Sequence, residues 1–501
     1  MNLPPDTTAP ETGGAPLADT IVARATPPGR GAVAVIRISG PGTRGVLRGL
    51  IPRWEEDGPG AGGRGAPSGR EPRRAYLLPI TDPESGELLD RALVTFFAGP
   101  ASYTGEDAAE ISTHGGVLVP SLVLDACRRA GARQARPGEF TQRAYLNGKV
   151  DLVQAEAVRD LVDAGSEALH RAALFQAEGG LSRRVARIRE GVIQVEALLV
   201  HHIDFPDEDE PPTPAEEVIR RGKGLLEELE ALLATAPEGE LLREGALVVL
   251  AGRPNSGKSS LFNALVGEER AIVTEEPGTT RDALEVRLSL GGYPFRLVDT
   301  AGIRDGAGKI ERLGIEVARR HLKGADVVLL CLPADEKWGS GEEGFLEEVG
   351  GETPVVLVRT KADRGEGDRP SGAGGVSGAW PPTGTGAAPR PPARIRSTVA
   401  TSVVDGRGLD ELRARLRDLV FSGVVQAGAD VPVLTRRRQA RGVRMARDEV
   451  AAFVEALESG VPAEMASTHL RPAETALEEL LGVISPEEVL DRVFSEFCIG
   501  K

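Results

Sequence analysis

The residues best equipped to do chemistry stand in GRPNSGKSSLFNAL, positions 252 to 265. Gly252 to Ser259 has the form G-x-x-x-x-G-K-S. The apolar run Ala246 to Ala251 before it reads as a buried strand, and the pattern after it reads as a helix. In that setting the glycines let backbone N–H groups wrap a phosphate, and the helix N-terminus adds a favourable dipole. Lys258 is spaced to reach the β- and γ-phosphates, and the Ser259 hydroxyl to ligate Mg²⁺. Asn255, Ser256, Gly257 and Ser260 complete the cradle. A bare glycine-rich turn would lack the strand before and the helix after, so a nucleoside triphosphate ligand is expected.

Three further motifs follow in the order a GTPase requires. In GTTRD, Gly278 to Asp282, Thr280 is placed to close over the γ-phosphate and Mg²⁺. In DTAG, Asp299 falls near the metal and the Gly302 N–H near the γ-phosphate, with Thr300 and Ala301 between them. In TKAD, Asp363 can accept from guanine N1–H and the exocyclic amine, beside Thr360 and Lys361. Two departures from the usual pattern stand out. Thr360 occupies the place of an asparagine, and Ser402-Val403-Val404 replaces a Ser-Ala-Lys loop, so guanine reading rests mainly on Asp363. Ile303 follows DTAG where Ras-like enzymes carry a water-orienting glutamine. Another polar residue or a second molecule must supply that function.

These loops need a scaffold. VVLA, FRLV, VVLLCL and PVVLV are continuous apolar runs, as expected for strands buried on both faces of a parallel sheet. We read 245–422 as an α/β P-loop, Ras-like G domain carrying a Gly/Pro-rich flexible insert at 364–394. Residues 1–18 read as a disordered tail, and 19–147 as an α+β domain with a Gly-rich insert at 58–70. Helical periodicity covers 148–244 and returns over 423–501, so the G domain is expected to be inserted into an all-α domain. The chain is thus read as multidomain.

At 501 residues there is room for about three domains. The net charge of −15 gives the whole molecule no affinity for nucleic acid, so RNA contact requires a local basic patch or a partner. Cys127, Cys331 and Cys498 are too few and too scattered for a disulfide framework or zinc site, which fits a reducing compartment. The opening residues lack a signal-peptide pattern, and no apolar run is long enough to span a bilayer. We expect a soluble, cytoplasmic protein with no membrane association.

Taken with GRPNSGKSSLFNAL, the segments DTIVARATPPGRGAVAVIRISGPG, RPGEFTQRAYLNGKVDLVQAEAVRDLVDA and the closing FCIGK resemble the MnmE/TrmE family of tRNA modification GTPases. The resemblance runs from Asp19 to Lys501 and is broken by the two inserts. It implies an N-terminal folate-binding and dimerisation domain, a discontinuous helical domain and an inserted G domain, acting as a homodimer. It also implies a heterotetramer with a flavin-dependent, FAD-carrying protein of the GidA/MnmG family. Together these would form 5-carboxymethylaminomethyluridine, or the aminomethyl product, at the wobble position of tRNA. The carbon donor would be 5-formyl- or 5,10-methylenetetrahydrofolate.

By the same resemblance, Asn255 is a K⁺ ligand, and Thr274, Thr279 and the backbone carbonyl of Glu276 lie in the K⁺ loop. K⁺ would supply the positive charge that an arginine finger supplies elsewhere. Glu311 matches the glutamate that orients the attacking water, and Glu110, Lys149 and Lys501 match positions around the folate. Read alone, Asn255 would be a turn residue, Glu311 a solvated helix face and the last three ordinary surface charges. Arg37 sits in the apolar run VAVIRIS, where a charge needs a partner or an anionic ligand, and the resemblance puts it at the folate site. Cys498 is either a structural thiol or, by resemblance, a participant in modification. The CIGK ending makes a poor prenylation signal, because it ends in Lys and no polybasic segment precedes it.

TRRRQARGVRMARD sets Arg437, Arg438, Arg441 and Arg444 at helical spacing, either a tRNA-facing stripe or a solvated face. IDFPDEDE, 203 to 210, reads as an exposed acidic loop, and His114-Gly115-Gly116 as a tight turn rather than a catalytic site. The alternative function is a ribosome-assembly GTPase switch, against which stands the lack of a KH-like module after the G domain.

Overall fold

The structure is a computed structural model describing residues 19–52, 54, 71–204, 214–268, 285–299, 320–349, 353–364, 394–427, 432–484, 487–495 and 497–500. The chain divides into two compact units, residues 1–159 with 474–501, and residues 160–473. The tail at 1–18, the insert at 58–70, almost all of that at 364–394 and residues 205–210 of the acidic stretch lie outside the described residues.

The first unit is built on a six-stranded sheet. Its strands are β1 (Ile21–Arg24), β2 (Val33–Ser39), β3 (Ala75–Thr81), β4 (Leu88–Phe97), β5 (Ala108–His114) and β6 (Arg133–Gln134), in the order β3-β4-β5-β2-β1-β6. All neighbours are antiparallel except β1 and β6. Alternation along VAVIRIS sends Ile36 and Ile38 into a core with Val46, Leu47 and Leu50 of the helix Thr43–Leu50 and Val123 and Ala126 of the helix Val119–Arg129. Arg37 therefore belongs to the opposite face. On that side Phe140, from the helix Glu139–Leu146, packs with Ile21, Ala23 and Ala135.

Arg143 of that helix is fully buried, and its two terminal nitrogens pair with Asp19 at 2.8 Å, Glu139 at 3.1 Å and Glu106 at 3.2 Å. A buried cation is tolerable only with such partners. Phe494 and Phe497 pack with Leu152 and Ala155, and Pro137 forms an isolated bridge with Ile499, so residues from both ends of the chain build this unit.

The second unit carries β7 (Ala246–Ala251), β8 (Glu285–Leu290), β9 (Tyr293–Asp299), β10 (Val327–Pro333), β11 (Val355–Thr360) and β12 (Ile395–Ala400), in the order β12-β11-β10-β7-β9-β8. Only β8 is antiparallel to its neighbour. Every residue of β7 and of β10 is buried. Val248 and Leu250 face one core with Leu261 and Leu412, while Leu247 and Val249 face another with Leu346. Apolar cover on both faces is what those continuous runs demand. The element order is that of a Ras-like G domain.

Outside this sheet, the helices Gly180–Asp204, Ala215–Leu233 and Arg437–Glu458 pack together. Gly222 permits the close approach of the last two, since a Cβ there would stand 2.8 Å from Val454 Cγ2. Arg436 and Asp160 form an ion pair whose side chains are 10% and 5% exposed. In the basic run, Arg437, Arg441 and Arg444 are exposed, and Arg437 pairs with Glu240. His114 is exposed and its Nδ1 lies 2.7 Å from Asp90. Among the described residues no helix is long and apolar enough to cross a membrane.

Candidate functional site

β7 delivers the chain into the phosphate-loop sequence. Gly252, Asn255 and Gly257 adopt φ of +139°, +60° and +90°. A Cβ on Gly252 would lie 2.4 Å from the Cys331 carbonyl oxygen and 2.9 Å from Ser256 Oγ, so only glycine fits there. Asparagine is among the few residues that adopt the left-handed conformation readily, which suits position 255. The loop then enters the helix Lys258–Glu268, with Ser259 and Ser260 exposed on its first turn.

Lys258 is buried, and its Nζ donates to the carbonyls of Gly252 at 3.1 Å and Arg253 at 2.7 Å. Its ammonium thus lies inside the loop. Ser256 is buried, and its Oγ has no hydrogen-bond partner among the described residues. A cradle closed to any Cβ and holding an unused hydroxyl fits a bound polar group such as a phosphate. Asp299 ends β9 in register with Leu250 and is 8% exposed. Burial pushes the Cys331 thiol up to about 12, and the charges of Lys258 and Asp299 act on it in opposite directions. The lysine and the aspartate therefore share one electrostatic neighbourhood.

β11 brings the base-reading sequence to the same place. Thr360 is buried, and its Oγ1 donates to the Ser256 carbonyl at 2.6 Å. Lys361, at φ +56°, donates from Nζ to the Asn255 carbonyl at 2.8 Å. Thr360 looked from sequence like a missing base reader; its hydroxyl instead braces the phosphate loop. Asp363 is exposed. Ser402 is buried, and its Oγ accepts from the Val404 N–H at 3.3 Å. The Arg407 N–H, and after it the Ser402 hydroxyl, hold the Asp405 carboxyl below its ordinary range. The Ser402 hydroxyl is accordingly engaged within its own turn. Thr274, Glu276, Thr279, Thr280, Thr300, Ala301, Gly302, Ile303, Glu311 and Lys501 lie outside the described residues.

A second group of expected residues meets on the first unit's sheet. Arg37 and Glu110 are direct cross-strand partners on β2 and β5. Arg37 donates to Glu110 Oε1 from Nη2 at 2.9 Å and from Nε at 3.1 Å, and to the Gly500 carbonyl from Nη1 at 3.4 Å. Its guanidinium stands 5.9 Å from the Tyr103 ring centroid and 5.8 Å from that of Phe140. Neither aromatic was singled out from sequence, because Tyr103 lies in an aperiodic Gly/Pro segment and Phe140 reads as ordinary helix core. Burial raises the Tyr103 phenol above its ordinary range. Lys149 donates from Nζ to the Pro100 carbonyl at 3.2 Å. Cys498 is exposed, and its carbonyl accepts from the Gly138 N–H at 3.4 Å.

Strand, glycine-bounded loop, buried lysine and following helix, in a sheet of this order, define a P-loop GTP-binding protein of the Ras-like class. Residues 20–149 match the family model of the GTP-binding protein TrmE N-terminus, and residues 152–498 that of the MnmE helical domain. The tRNA modification GTPase MnmE of Moorella thermoacetica is 38% identical over 494 residues, covering 97% of this chain and 100% of that protein. Its counterpart from Methylorubrum populi is 41% identical over 486 residues, covering 96% and 98%. The chain belongs to the MnmE family of tRNA modification GTPases. It is a GTP-hydrolysing enzyme of tRNA modification.

Proposed function

We propose that this protein is a K⁺- and Mg²⁺-dependent GTP hydrolase acting with a flavoprotein partner and a one-carbon tetrahydrofolate. Its product is 5-carboxymethylaminomethyluridine at the tRNA wobble position. One observation carries the reading: a chain of this family holds a built phosphate cradle around Lys258 and, on its other sheet, a cation flanked by aromatic rings at Arg37.

In the G domain, the backbone of Asn255 to Ser260 with Lys258 binds the phosphates, and Asp363 with Lys361 reads the base. Ser259 and Thr280 are the Mg²⁺ ligands, with Asp299 beside them. Asn255, Thr274, Thr279 and the Glu276 carbonyl are the K⁺ ligands. When bound, K⁺ neutralises charge developing between the phosphates. The Gly302 N–H, next to Thr300 and Ala301, donates toward the γ-phosphate. Glu311 orients the water that Ile303 cannot. Arg37, Glu110, Lys149 and Lys501 hold the folate, Arg37 and Glu110 through hydrogen bonds, with the exposed Tyr103 ring stacking beside them. Cys498 serves the modification step.

The working assembly is a cytoplasmic homodimer that joins a FAD-carrying protein of the GidA/MnmG family and takes tRNA as substrate. The domain limits are those expected from sequence, with the G domain over 245–422. Mass analysis of tRNA nucleosides in a deletion strain tests this directly. The wobble modification should vanish and return on complementation, and its persistence in the deletion strain overturns the proposal. Asn255→Ala should remove the K⁺ stimulation of GTP hydrolysis while leaving the fold intact.

A further inference from the structure

We propose that an arginine-lined cavity among the helices of the second unit binds the phosphodiester backbone of an RNA. This rests on the tRNA reading and assigns it a docking site.

The cavity encloses about 360 Å³, and its lining includes Arg183, Arg184, Arg187, Glu228, Thr235 and Pro432. Three guanidiniums face one carboxylate. Arg184 is paired with Glu228 at 3.0 Å, and among the described residues Arg183 donates only to the Glu178 carbonyl, at 2.7 Å. Arg187 is exposed and has no hydrogen-bond or ion-pair partner among the described residues. Among the described residues, two of the three positive charges therefore have no counter-charge in this concave site. The lining thus carries a local positive excess on a chain whose overall charge is −15.

Packing of the helices fixes where this charge stands. Arg184 meets Glu228, and Gly191 lies against Leu225, so the helix Gly180–Asp204 runs antiparallel to Ala215–Leu233. Gly222 lies against Val454, and the Leu434 N–H donates to Thr235 Oγ1 at 3.1 Å, so Arg437–Glu458 is also antiparallel to it. Two long helices accordingly begin at the end where the third finishes, so two positive dipole ends meet one negative end there. The helix Arg437–Glu458 begins at that end and carries Arg437, Arg441 and Arg444 on its exposed face, Arg437 paired with Glu240. A concave site of guanidiniums, with further exposed arginines starting at the same end of the helices, suits a chain of regularly spaced phosphates. A lone small anion would use the cavity but not those further arginines.

The test is tRNA binding by the full-length chain as a function of salt, with Arg183→Ala/Arg187→Ala as the variant. Arg91→Ala, an exposed arginine on β4, is the control. We expect about 10-fold weaker binding in the double variant. The slope of log affinity against log salt should fall by about two, one per lost phosphate contact. GTP hydrolysis without tRNA, the control's binding and the melting temperature should not change. Substituting lysine at both positions should restore most of the slope. Wild-type affinity and slope in the double variant overturn the site, even if inorganic phosphate stabilises the wild type and not the variant, which would mark a small-anion site. A wild-type chain that binds no tRNA overturns this proposal together with the reading beneath it.

Discussion

The two six-stranded sheets of this molecule place their polar residues in opposite ways. On the antiparallel sheet, Arg37 and Glu110 sit within strands and face each other through the ladder register itself. On the parallel sheet, the central strands β7 and β10 are apolar and buried on both faces, so the polar groups of the loops stand at the strand ends. Gly252 to Gly257 follow β7, Asp299 closes β9, and Thr360 to Asp363 close and follow β11. A half-covered sheet can carry its chemistry on its surface, whereas a sheet covered on both sides must export it to loops. Geometry then comes from strand pairing in the first case, and from loop-to-loop hydrogen bonds in the second.

If this contrast is right, changes on the parallel sheet's loops should cost activity far more than stability. Lys258→Ala is expected to lower kcat for GTP by about 10²–10³-fold, the usual effect of losing a charge-stabilising donor. Phosphate release measures this, and the melting temperature should stay near wild type. Gly252→Ala is the sharper break, because the loop has no room there. Its left-handed φ and the Cys331 carbonyl 2.4 Å away should cost about 2 kcal/mol in chemical denaturation and abolish tight nucleotide binding.

Thr360→Ala removes the brace from the Ser256 carbonyl, and a lost buried hydrogen bond of this kind is worth about 1 kcal/mol. Nucleotide affinity by fluorescence titration should drop about 5-fold for GTP and GDP alike. On the other sheet, Arg37→Ala should cost about 0.5–1 kcal/mol of stability, since its ion pair is a quarter to a third exposed. Equilibrium unfolding that shows a much larger loss would make the pair structural.

The smallest effect concerns acid. The Asp19 carboxyl is held below its ordinary value of 3.8 by hydrogen bonds, first from Arg133 and then from Arg143. The stabilisation it brings is present above that ordinary value and fades as pH falls through the lowered one. Asp19→Asn should remove that part of the acid sensitivity, measured as the pH dependence of unfolding below about pH 4.

Legibility in the sequence followed the same division. The G-domain strands were readable because burial on both faces leaves uninterrupted apolar runs, and the phosphate loop because glycine is enforced by contact at Gly252. Arg37 announced itself as a charge among alternating apolar residues, although its partner Glu110 lies 73 residues away and no periodicity links them. Tyr103 and Phe140 were invisible for that reason, being brought to Arg37 only by the tertiary fold. Thr360 was noticed as a departure but not understood, since the hydrogen bond that gives it a purpose spans 104 positions. The arginines of the helical cavity were passed over because a charged helix face usually means solvent.

The brace between β11 and the phosphate loop has a kinetic consequence. Two consecutive carbonyls, of Asn255 and Ser256, accept hydrogen bonds from Lys361 and Thr360 of the protein itself. Part of the loop's shape is therefore set by the chain's own contacts, which lowers the ordering that nucleotide binding must supply. Association can then approach the rate of encounter, and residence time is set by how fast the nucleotide leaves a loop that keeps its shape.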